Sequence, residues 1–457
     1  MAPYEGIAKR NAYDEWLTFA KLLLARADEI TSFVDNRLQW NGYTRYDGAL
    51  GGSYNICLKL VRGDNTDEAV IIRFSTPGKI HVPWRDEKVR NEVEAMSYIR
   101  QHTSIPVPRV RSWGLTKDSP GELGPFIIMD FIPGESLGEF LATPCDDKTE
   151  PPVLDPDVDE GKLDIIYDQL ATFMLELSSP KFPRIGALSK DQASGDWVVA
   201  SRPFTYDMNE VVTVGVRSAD FFDAITEPFD RAGDYFNMCA RYFKLHMEQQ
   251  RNFAGHDEDL AWRQYVARHC YPQLIPRYGA VDDNGPFRLF CDDLRPSNML
   301  IDPDTLRITA VVDFEFTNAM PAQYSQDVPW WLLLGRPESW LRDEKKDEFL
   351  RLFEPRTEQF IRAVQRVERR RADKSDEPLL SARMQESWDS GRFWFNIATR
   401  CSFDVDDVYW HMLHKEGMGE AMLSDSILGD KTAFIERKMQ QADEYFDEKD
   451  GDARFDE

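Results

Sequence analysis

The stretch that decides the fold is LFCDDLRPSNMLID, residues 289–302, together with the strand-like run LRITAVVD at 306–313 and the residues FE that follow. An apolar pair leads into a loop with a carboxylate at Asp293 and an amide at Asn298, and the second apolar run ends at Asp313. Phosphoryl transfer needs a carboxylate that orients the attacking hydroxyl and oxygen ligands that hold magnesium. The spacing therefore predicts Asp293 for the first role, and Asn298 and Asp313 as the metal ligands.

A plain structural interpretation stays open for this stretch taken alone. Asp-rich turns between two buried strands are common, and Pro296 close to Asn298 is ordinary turn chemistry. Short motifs of this kind also carry a high false-positive risk. The phosphotransfer interpretation therefore depends on the rest of the chain.

The composition excludes several classes of protein. The chain has 457 residues, of which 42% are hydrophobic and 30% charged, which is typical of a globular protein with two lobes or domains. Lys and Arg number 55 against 80 Asp and Glu, a formal net charge of -25. Such a surface repels nucleic acid and anionic membranes, so neither is expected as a partner, whereas cationic substrates would be attracted.

The cysteines and the apolar segments indicate in which cellular compartment the protein is expected. The six cysteines are scattered without a C-x-x-C pair, which suits a reducing environment and indicates no zinc site. No signal-like N-terminus and no apolar run of bilayer length is present in the sequence. We therefore expect a soluble, cytoplasmic protein.

The region 1–130 reads as N-terminal helices followed by a nucleotide-binding lobe. One or two helices are expected within 13–38, and a glycine-rich segment at 47–55 lies between two strand-like runs. Glycines let backbone N–H groups approach phosphate oxygens. We therefore predict that the nucleotide is contacted by Gly51, Gly52, Ser53 and Asn55. An ordinary Gly-rich hairpin explains the segment equally well.

A cation stands inside the next strand-like run, at Arg73. An unpaired buried charge is costly, so Arg73 needs a partner or a ligand. The helix that follows, over 87–101, places Glu92 within its apolar stripe and Glu94 outside it. We therefore predict that Glu92 pairs with Arg73 and that Arg73 holds nucleotide phosphates, although a purely structural ion pair stays possible.

The run 125–134 reads as a buried strand that enters an exposed connector. By its position it would join two lobes, and its backbone would hydrogen-bond an adenine ring. The candidate residues are Met129, Asp130 and Ile132. The second lobe would then span 131–457.

The region 131–457 reads as mainly helical. An insertion at about 145–285 precedes the loop at 289–302, with helices expected over 163–177, 219–253 and 260–271 and irregular structure over 182–203. It could form a wall of the substrate site or plain scaffold. A charged helix over 345–373 is expected to be interrupted at Pro355, and an acidic tail at 442–457 is expected to fray.

Taken in order, the motifs resemble those of the aminoglycoside phosphotransferase-like family, particularly a branch common in filamentous fungi. The motifs are GGSYN at 51–55, VIIRF at 70–74, NEVEAM at 91–96, DLRPSN at 293–298, DFE at 313–315 and DVPWWL at 327–332. The resemblance implies an α+β, bilobal, protein-kinase-like fold. Its small N-lobe has an antiparallel sheet and one key helix, and its large C-lobe is mainly helical.

The resemblance also implies the roles of individual residues. ATP would bind with Mg²⁺, Asp293 would be the catalytic aspartate, and Asn298 and Asp313 would hold the metal. Arg73 stands where most members have lysine, with Glu92 as its partner. Two further departures lie beside the catalytic residue, where Cys291 replaces a histidine and Asp292 replaces a glycine.

These observations favour a small-molecule kinase that phosphorylates a hydroxyl of an aminoglycoside-, choline- or sugar-like acceptor, with Arg295 contacting the migrating phosphoryl group. The alternative is a pseudokinase that serves as a nucleotide-binding or interaction scaffold, as the changes at Cys291 and Arg73 would allow. A protein kinase is disfavoured because the G-x-G-x-x-G, D-F-G and A-P-E motifs are missing from the sequence. The expected partners are a nucleotide and a small-molecule acceptor, and the sequence does not predict the oligomeric state.

Overall fold

The first lobe is built on an antiparallel sheet. The computed structural model describes residues 5–63, 68–145, 152–371 and 377–455. The elements of this lobe are α1 (Gly6–Ala25), α2 (Ala27–Leu38), β1 (Thr44–Gly51), β2 (Asn55–Arg62), β3 (Ala69–Ser75), α3 (Arg85–His102), β4 (Val110–Gly114) and β5 (Phe126–Asp130). The five strands are in the order β1-β2-β3-β5-β4.

The two faces of this sheet bury different partners. The alternating residues Ile56, Leu58 and Leu60 of β2 face the helices α1 and α2 and form one apolar core with them. The opposite face carries Arg73, which lies in register between Cys57 and Ile127 of the neighbouring strands. Arg73 therefore projects from the face that is turned away from the N-terminal helices.

In the part of the chain that the structure describes, the second lobe is mainly helical and holds three small sheets. Its strands are β6 (Glu135–Ser136), β7 (Ala187–Lys190), β8 (Trp197–Ser201), β9 (Arg288–Phe290), β10 (Met299–Asp302), β11 (Arg307–Val311) and β12 (Asn318–Met320). They pair as β11-β10-β6, β12-β9 and β7-β8.

The helices of the second lobe follow in chain order. They are α4 (Leu137–Leu141), α5 (Glu160–Ser178), α6 (Tyr206–Thr213), α7 (Ala232–Gln249), α8 (Glu258–Cys270), α9 (Ile275–Tyr278), α10 (Ala322–Ser325), α11 (Pro337–Arg342), α12 (Lys346–Arg370), α13 (Leu380–Ser390), α14 (Arg392–Arg400), α15 (Val405–Val408), α16 (Asp425–Gly429) and α17 (Lys431–Asp450). The predicted α+β architecture, with a small sheet-bearing lobe and a large helical lobe, is confirmed.

Helix α3 joins the two lobes. Its apolar residues Val89, Val93, Met96 and Ile99 are buried in the same core as the side chains of the second lobe. Burial of an aliphatic side chain contributes roughly 1.5–3 kcal/mol, so this shared core fixes α3 firmly.

The insertion also binds the first lobe, through a set of polar contacts that we call the insertion clasp. The clasp consists of Arg202 with Glu87, Asn209 with the backbone of Lys79 and His81, and Glu210 with Tyr54. Arg202 meets both oxygens of Glu87, at 2.9 and 2.8 Å. The clasp places α6 directly beside the glycine-rich turn and the start of α3.

Two expectations for the insertion are wrong. Residues 182–203 are not wholly irregular, because β7 and β8 form a hairpin there. The helix expected from 219 begins only at Ala232. Phe229 exchanges backbone hydrogen bonds with Ile185, of 2.9 and 2.8 Å, and this extended pairing prevents α7 from starting before residue 230. Only two short 3-10 turns, at Ser218–Asp220 and Phe222–Ala224, precede it.

Pro355 does not interrupt the charged helix, which runs unbroken as α12 from Lys346 to Arg370. A proline inside a helix costs about 3 kcal/mol. The buried face of α12 includes Phe349, Phe353 and Phe360, and each such ring stabilises the helix by roughly 1.5–3 kcal/mol. Tertiary packing therefore outweighs the local effect of the proline.

The acidic tail does not fray at 442, because α17 continues to Asp450 with Ala442 and Tyr445 buried. The Tyr445 hydroxyl accepts a hydrogen bond of 3.0 Å from the backbone N–H of Gly6. The net charge of the segment concealed two buried positions at helical spacing. Among the helices of the described residues, none is long and apolar enough to cross a bilayer.

Candidate active site

The loop between β9 and β10 fixes the side chain of Asp293 on both oxygens. Asn298 donates from its amide nitrogen to Asp293 Oδ2 at 2.7 Å and to the Asp293 carbonyl oxygen at 3.0 Å. Arg295 Nε lies 2.7 Å from Asp293 Oδ1 as an ion pair. The Asp293 side chain is still 26% exposed, so the carboxylate is oriented and accessible.

Asp313 lies beside this loop because β10 and β11 form a hairpin. The backbone N–H of Val312 donates to the Asn298 carbonyl at 2.8 Å, which extends the hairpin to the position before Asp313. Asp313 has φ 69° and Phe316 has φ 62°, both in the left-handed region. Strain of this kind costs about 1–3 kcal/mol per residue and is found mainly at functional sites.

Arg73 joins the two halves of the site. Its guanidinium pairs with Glu92 of α3, and its Nη1 lies 3.4 Å from Asp313 Oδ1. The predicted pairing of Arg73 with Glu92 is confirmed, and both side chains are buried. Strand β3, helix α3 and the segment after β11 therefore meet at one point.

Two charged residues at this point were missed from the sequence. Lys88 of α3 has no exposed side-chain area, and it pairs with Glu315 and lies 3.4 Å from Glu92 Oε2. Glu315 is the third residue of the DFE motif. Helical spacing could have indicated Lys88, because residues four apart share a helix face and Lys88 stands four before Glu92. Its pairing with Glu315 depends on tertiary structure alone.

The charges of this cluster fit a bound cation. Three carboxylates, at Glu92, Asp313 and Glu315, face two cations, Arg73 and Lys88. Burial, followed by the nearby Glu315 carboxylate, raises the pKa of Asp313 well above its usual value. Burial alone would raise the pKa of Glu92 as well, but Arg73 and Lys88 outweigh burial and lower it. A further positive charge at Asp313 would offset the excess of carboxylate.

The donor set suits Mg²⁺. The Asn298 amide nitrogen is used by Asp293, so its side-chain oxygen is the atom that could join Asp313 around a cation. Within the described ranges, no group of three or more His, Cys, Asp or Glu side chains is placed to hold a metal ion. Mg²⁺ commonly takes one or two protein ligands and completes its shell with water and substrate phosphates.

The glycine-rich turn after β1 is exposed at Gly51, Gly52 and Ser53. A Cβ at Gly51 would meet no described atom within 4 Å, so the space beside it is open to a ligand. Asn55 differs, because its side chain is buried, donates to Glu315 Oε2 at 3.1 Å and accepts from Lys88 Nζ at 3.1 Å. The Asn55 side chain therefore belongs to the charged cluster and is turned away from the exposed turn.

In the connector between the lobes, fewer residues are free to contact a nucleobase than the sequence suggested. The Met129 side chain is buried, and Asp130 pairs with Arg111. The N–H of Asp130 donates to Arg109 and that of Phe131 to Ala69, each at 3.0 Å.

Ile132 follows directly in this connector. No acceptor contacts its N–H among the described residues. Of the three candidates in the connector, Ile132 is therefore the one with a backbone donor that could meet a nucleobase.

Asp292 and Cys291 are both accommodated. Asp292 turns toward α14, where Arg400 Nε donates to its Oδ1 at 2.8 Å and Arg400 Nη2 contacts its carbonyl oxygen at 3.2 Å. Its charge is thus paired beside Asp293, and the pair ties the loop to a helix. The Cys291 thiol is buried, and burial raises its pKa above the usual range, so it stays neutral.

The comparisons with known proteins give only distant likenesses. No family model matches the chain, and no curated protein matches it. Among solved structures, it is similar to a Ralstonia eutropha protein assigned as an aminoglycoside phosphotransferase, with 14% identity, coverage of 92% of this chain and 98% of that chain, and a TM-score of 0.41. It is also similar to an aminoglycoside phosphotransferase from Streptomyces rimosus, with 14% identity, coverage of 85% and 97%, and a TM-score of 0.39.

A third similar structure is an aminoglycoside-3'-phosphotransferase of type VIII, with 14% identity, coverage of 83% and 98%, and a TM-score of 0.33.

Proposed function

We propose that this protein is an ATP- and Mg²⁺-dependent phosphotransferase that acts on a hydroxyl group of a small molecule. The observation that carries the proposal is the position of Arg73, which contacts both Glu92 and Asp313. A cation suited to nucleotide phosphates thereby lies against the carboxylate suited to a metal. Asp293, with both oxygens held, stands on the adjoining loop.

The roles of the side chains follow from these positions. Asp293 accepts the proton of the acceptor hydroxyl and orients its oxygen toward the phosphoryl group. Asn298 keeps Asp293 in place, and Arg295, which pairs with Asp293, would contact the phosphoryl group as it moves. When bound through Asn298 and Asp313, Mg²⁺ supplies charge neutralisation for the phosphates.

The nucleotide would lie against the exposed turn and the connector. Backbone N–H groups at Gly51, Gly52 and Ser53 would face the phosphates, where the open space beside Gly51 allows a close approach. The adenine ring would meet the Ile132 N–H. Arg73 replaces the usual lysine without loss of contact, since its guanidinium reaches two carboxylates at once.

The acceptor would be an aminoglycoside-, choline- or sugar-like molecule. The net charge of -25 favours the approach of a cationic acceptor. A cavity next to Phe290 and Leu294 has a volume of about 50 Å³, far below the ~300–1,000 Å³ of typical small-molecule sites. We therefore expect the acceptor to approach Asp293 from its exposed side, outside that cavity.

The pseudokinase alternative is less well supported. The Cys291 thiol packs in the interior while the Asp292–Arg400 pair secures the loop, and Arg73 keeps its partner Glu92. These contacts favour a catalytically active site over a pseudokinase.

The first experiment compares thermal melting with and without ATP and Mg²⁺, because a ligand that binds only the folded state raises the Tm. We expect a Mg²⁺-dependent shift that is lost in Asp313→Ala. We also expect Asp293→Asn to retain the shift but to lower phosphoryl transfer by at least about 100-fold, since general-base catalysis contributes typically 10²–10⁴-fold. No shift with any nucleotide, or wild-type turnover by Asp293→Asn, would refute the proposal.

A further inference from the structure

Lys88 occupies an unusual position for a lysine. Its side chain has no exposed area, and it lies on the buried face of α3 against the segment that carries Asp313. A buried charge costs several kcal/mol unless its partners are well placed. The partners are Glu315, Glu92 at 3.4 Å and the Asn55 side-chain oxygen at 3.1 Å.

We propose that Lys88 is a positioning residue for phosphoryl transfer, which locks the metal-binding segment and the glycine-rich turn to helix α3. The proposal rests on the proposed function. Because Lys88 is fully enclosed, it touches neither nucleotide nor acceptor, and it acts through Glu315 and Asn55.

Glu315 is the residue through which Lys88 acts on the metal-binding segment. Its carboxylate pairs with Lys88 of α3 and accepts a hydrogen bond of 3.1 Å from the side-chain amide of Asn55, at the start of β2. It stands two residues after Asp313, within a segment whose φ values at Asp313 and Phe316 are 69° and 62°. A strained backbone relaxes unless its surroundings hold it. Two donors on Glu315 provide that restraint.

Asn55 is the residue through which Lys88 acts on the nucleotide side. It follows Tyr54 and the exposed residues 51–53 of the turn, and its carbonyl oxygen accepts from the Gly52 N–H at 3.0 Å. Lys88 and Glu315 hold the two ends of the Asn55 amide. The turn and the Asp313 segment are therefore fastened to one lysine.

The charges alternate along this cluster, from Arg73 through Glu92 and Lys88 to Glu315. Loss of Lys88 alone would leave Glu315 without its cation, close to Asp313. Such a variant could unfold for purely electrostatic reasons. The paired change Lys88→Met with Glu315→Gln removes both charges and keeps similar side-chain volumes, so it separates positioning from folding.

The experiment measures ATP affinity by calorimetry with Mg²⁺ and with EDTA, and kcat and KM for the best acceptor. We expect the folded double variant to lose at least about tenfold of the Mg²⁺-dependent gain in affinity and at least about tenfold in kcat, in line with residues that orient metal ligands. The matched control is Lys438→Met. Lys438, on α17, is also buried, but it donates to the carbonyl oxygens of Met247 and Gln250 at the end of α7, at 2.9 and 2.6 Å.

The outcomes are distinct. Lys438→Met should lower the Tm and leave the Mg²⁺-dependent gain unchanged. A folded double variant with wild-type metal dependence and wild-type kcat would overturn the positioning role of Lys88 while leaving the proposed function intact. A wild-type protein without Mg²⁺-dependent ATP binding would refute the proposed function, and the role of Lys88 with it.

Discussion

Replacing Arg400 by methionine should slow phosphoryl transfer without changing the affinity for ATP. Arg400 holds Asp292 and contacts its carbonyl oxygen, one residue before the catalytic candidate Asp293. Its guanidinium also lies 5.0 Å from the ring centre of Phe290, the last residue of β9 before this loop. Methionine keeps the length of the aliphatic stem but removes all these contacts.

The magnitude follows from the burial of the Asp292–Arg400 pair. The two side chains are 17% and 16% exposed, so the pair lies between a surface pair, worth about 0–1 kcal/mol, and a fully buried one, whose disruption costs about 3–5 kcal/mol. A loss of about 2 kcal/mol corresponds to roughly 30-fold in the equilibrium that orders the loop. We therefore expect kcat to fall by up to about 30-fold.

The assay is steady-state phosphoryl transfer with calorimetry of ATP binding, at a temperature where the variants remain folded. Arg392→Met is the control, because Arg392 lies on the same helix α14 and binds both oxygens of the more exposed Glu386 of α13, at 2.9 and 2.8 Å. It should lose stability but keep kcat. If Arg400→Met loses stability by the same amount and turns over at the wild-type rate, the Asp292–Arg400 pair does not orient the catalytic loop.

Three further predictions concern the turn, the pH dependence and the C-terminal helix. Gly51→Ala should weaken ATP binding in calorimetry without lowering the Tm, whereas Gly429→Ala, also in open space, should leave ATP binding unchanged. Burial raises the pKa of Asp207 to about 7. Stability from this carboxyl is therefore complete below its unfolded pKa near 4 and is lost as the pH rises through 7, so Asp207→Asn should flatten the fall in Tm measured between those values. Deleting 442–457 should lower the free energy of unfolding in urea by at least about 2 kcal/mol, because Tyr445 is buried; an unchanged value would support a frayed tail.

The sequence predicted those parts of the site that depend on local spacing. Asp293, Asn298 and Asp313 lie along one loop and hairpin, so their order along the chain determines their proximity. Glu92 could be chosen over Glu94 because helical periodicity alone decides which side chain faces the core.

The rest depends on contacts between distant parts of the chain. Asn55 and Glu315 are separated by 260 positions, and Asp292 and Arg400 by 108, and no local pattern specifies such pairs. Pro355 shows the same limitation, because proline locally disfavours a helix, yet α12 continues through it owing to packing that the sequence does not reveal.

The insertion clasp has a consequence for how ligands enter and leave. A hinged opening of the lobes would break the Arg202–Glu87 pair and the Asn209 contacts that precede α3, whereas the exposed residues 51–53 can move while Asn55 stays anchored to Lys88 and Glu315. Nucleotide exchange would then proceed by local flexing of that turn over a fixed frame. Amide hydrogen exchange would register this as rapid labelling at 51–53 beside slow labelling across β3 and α3.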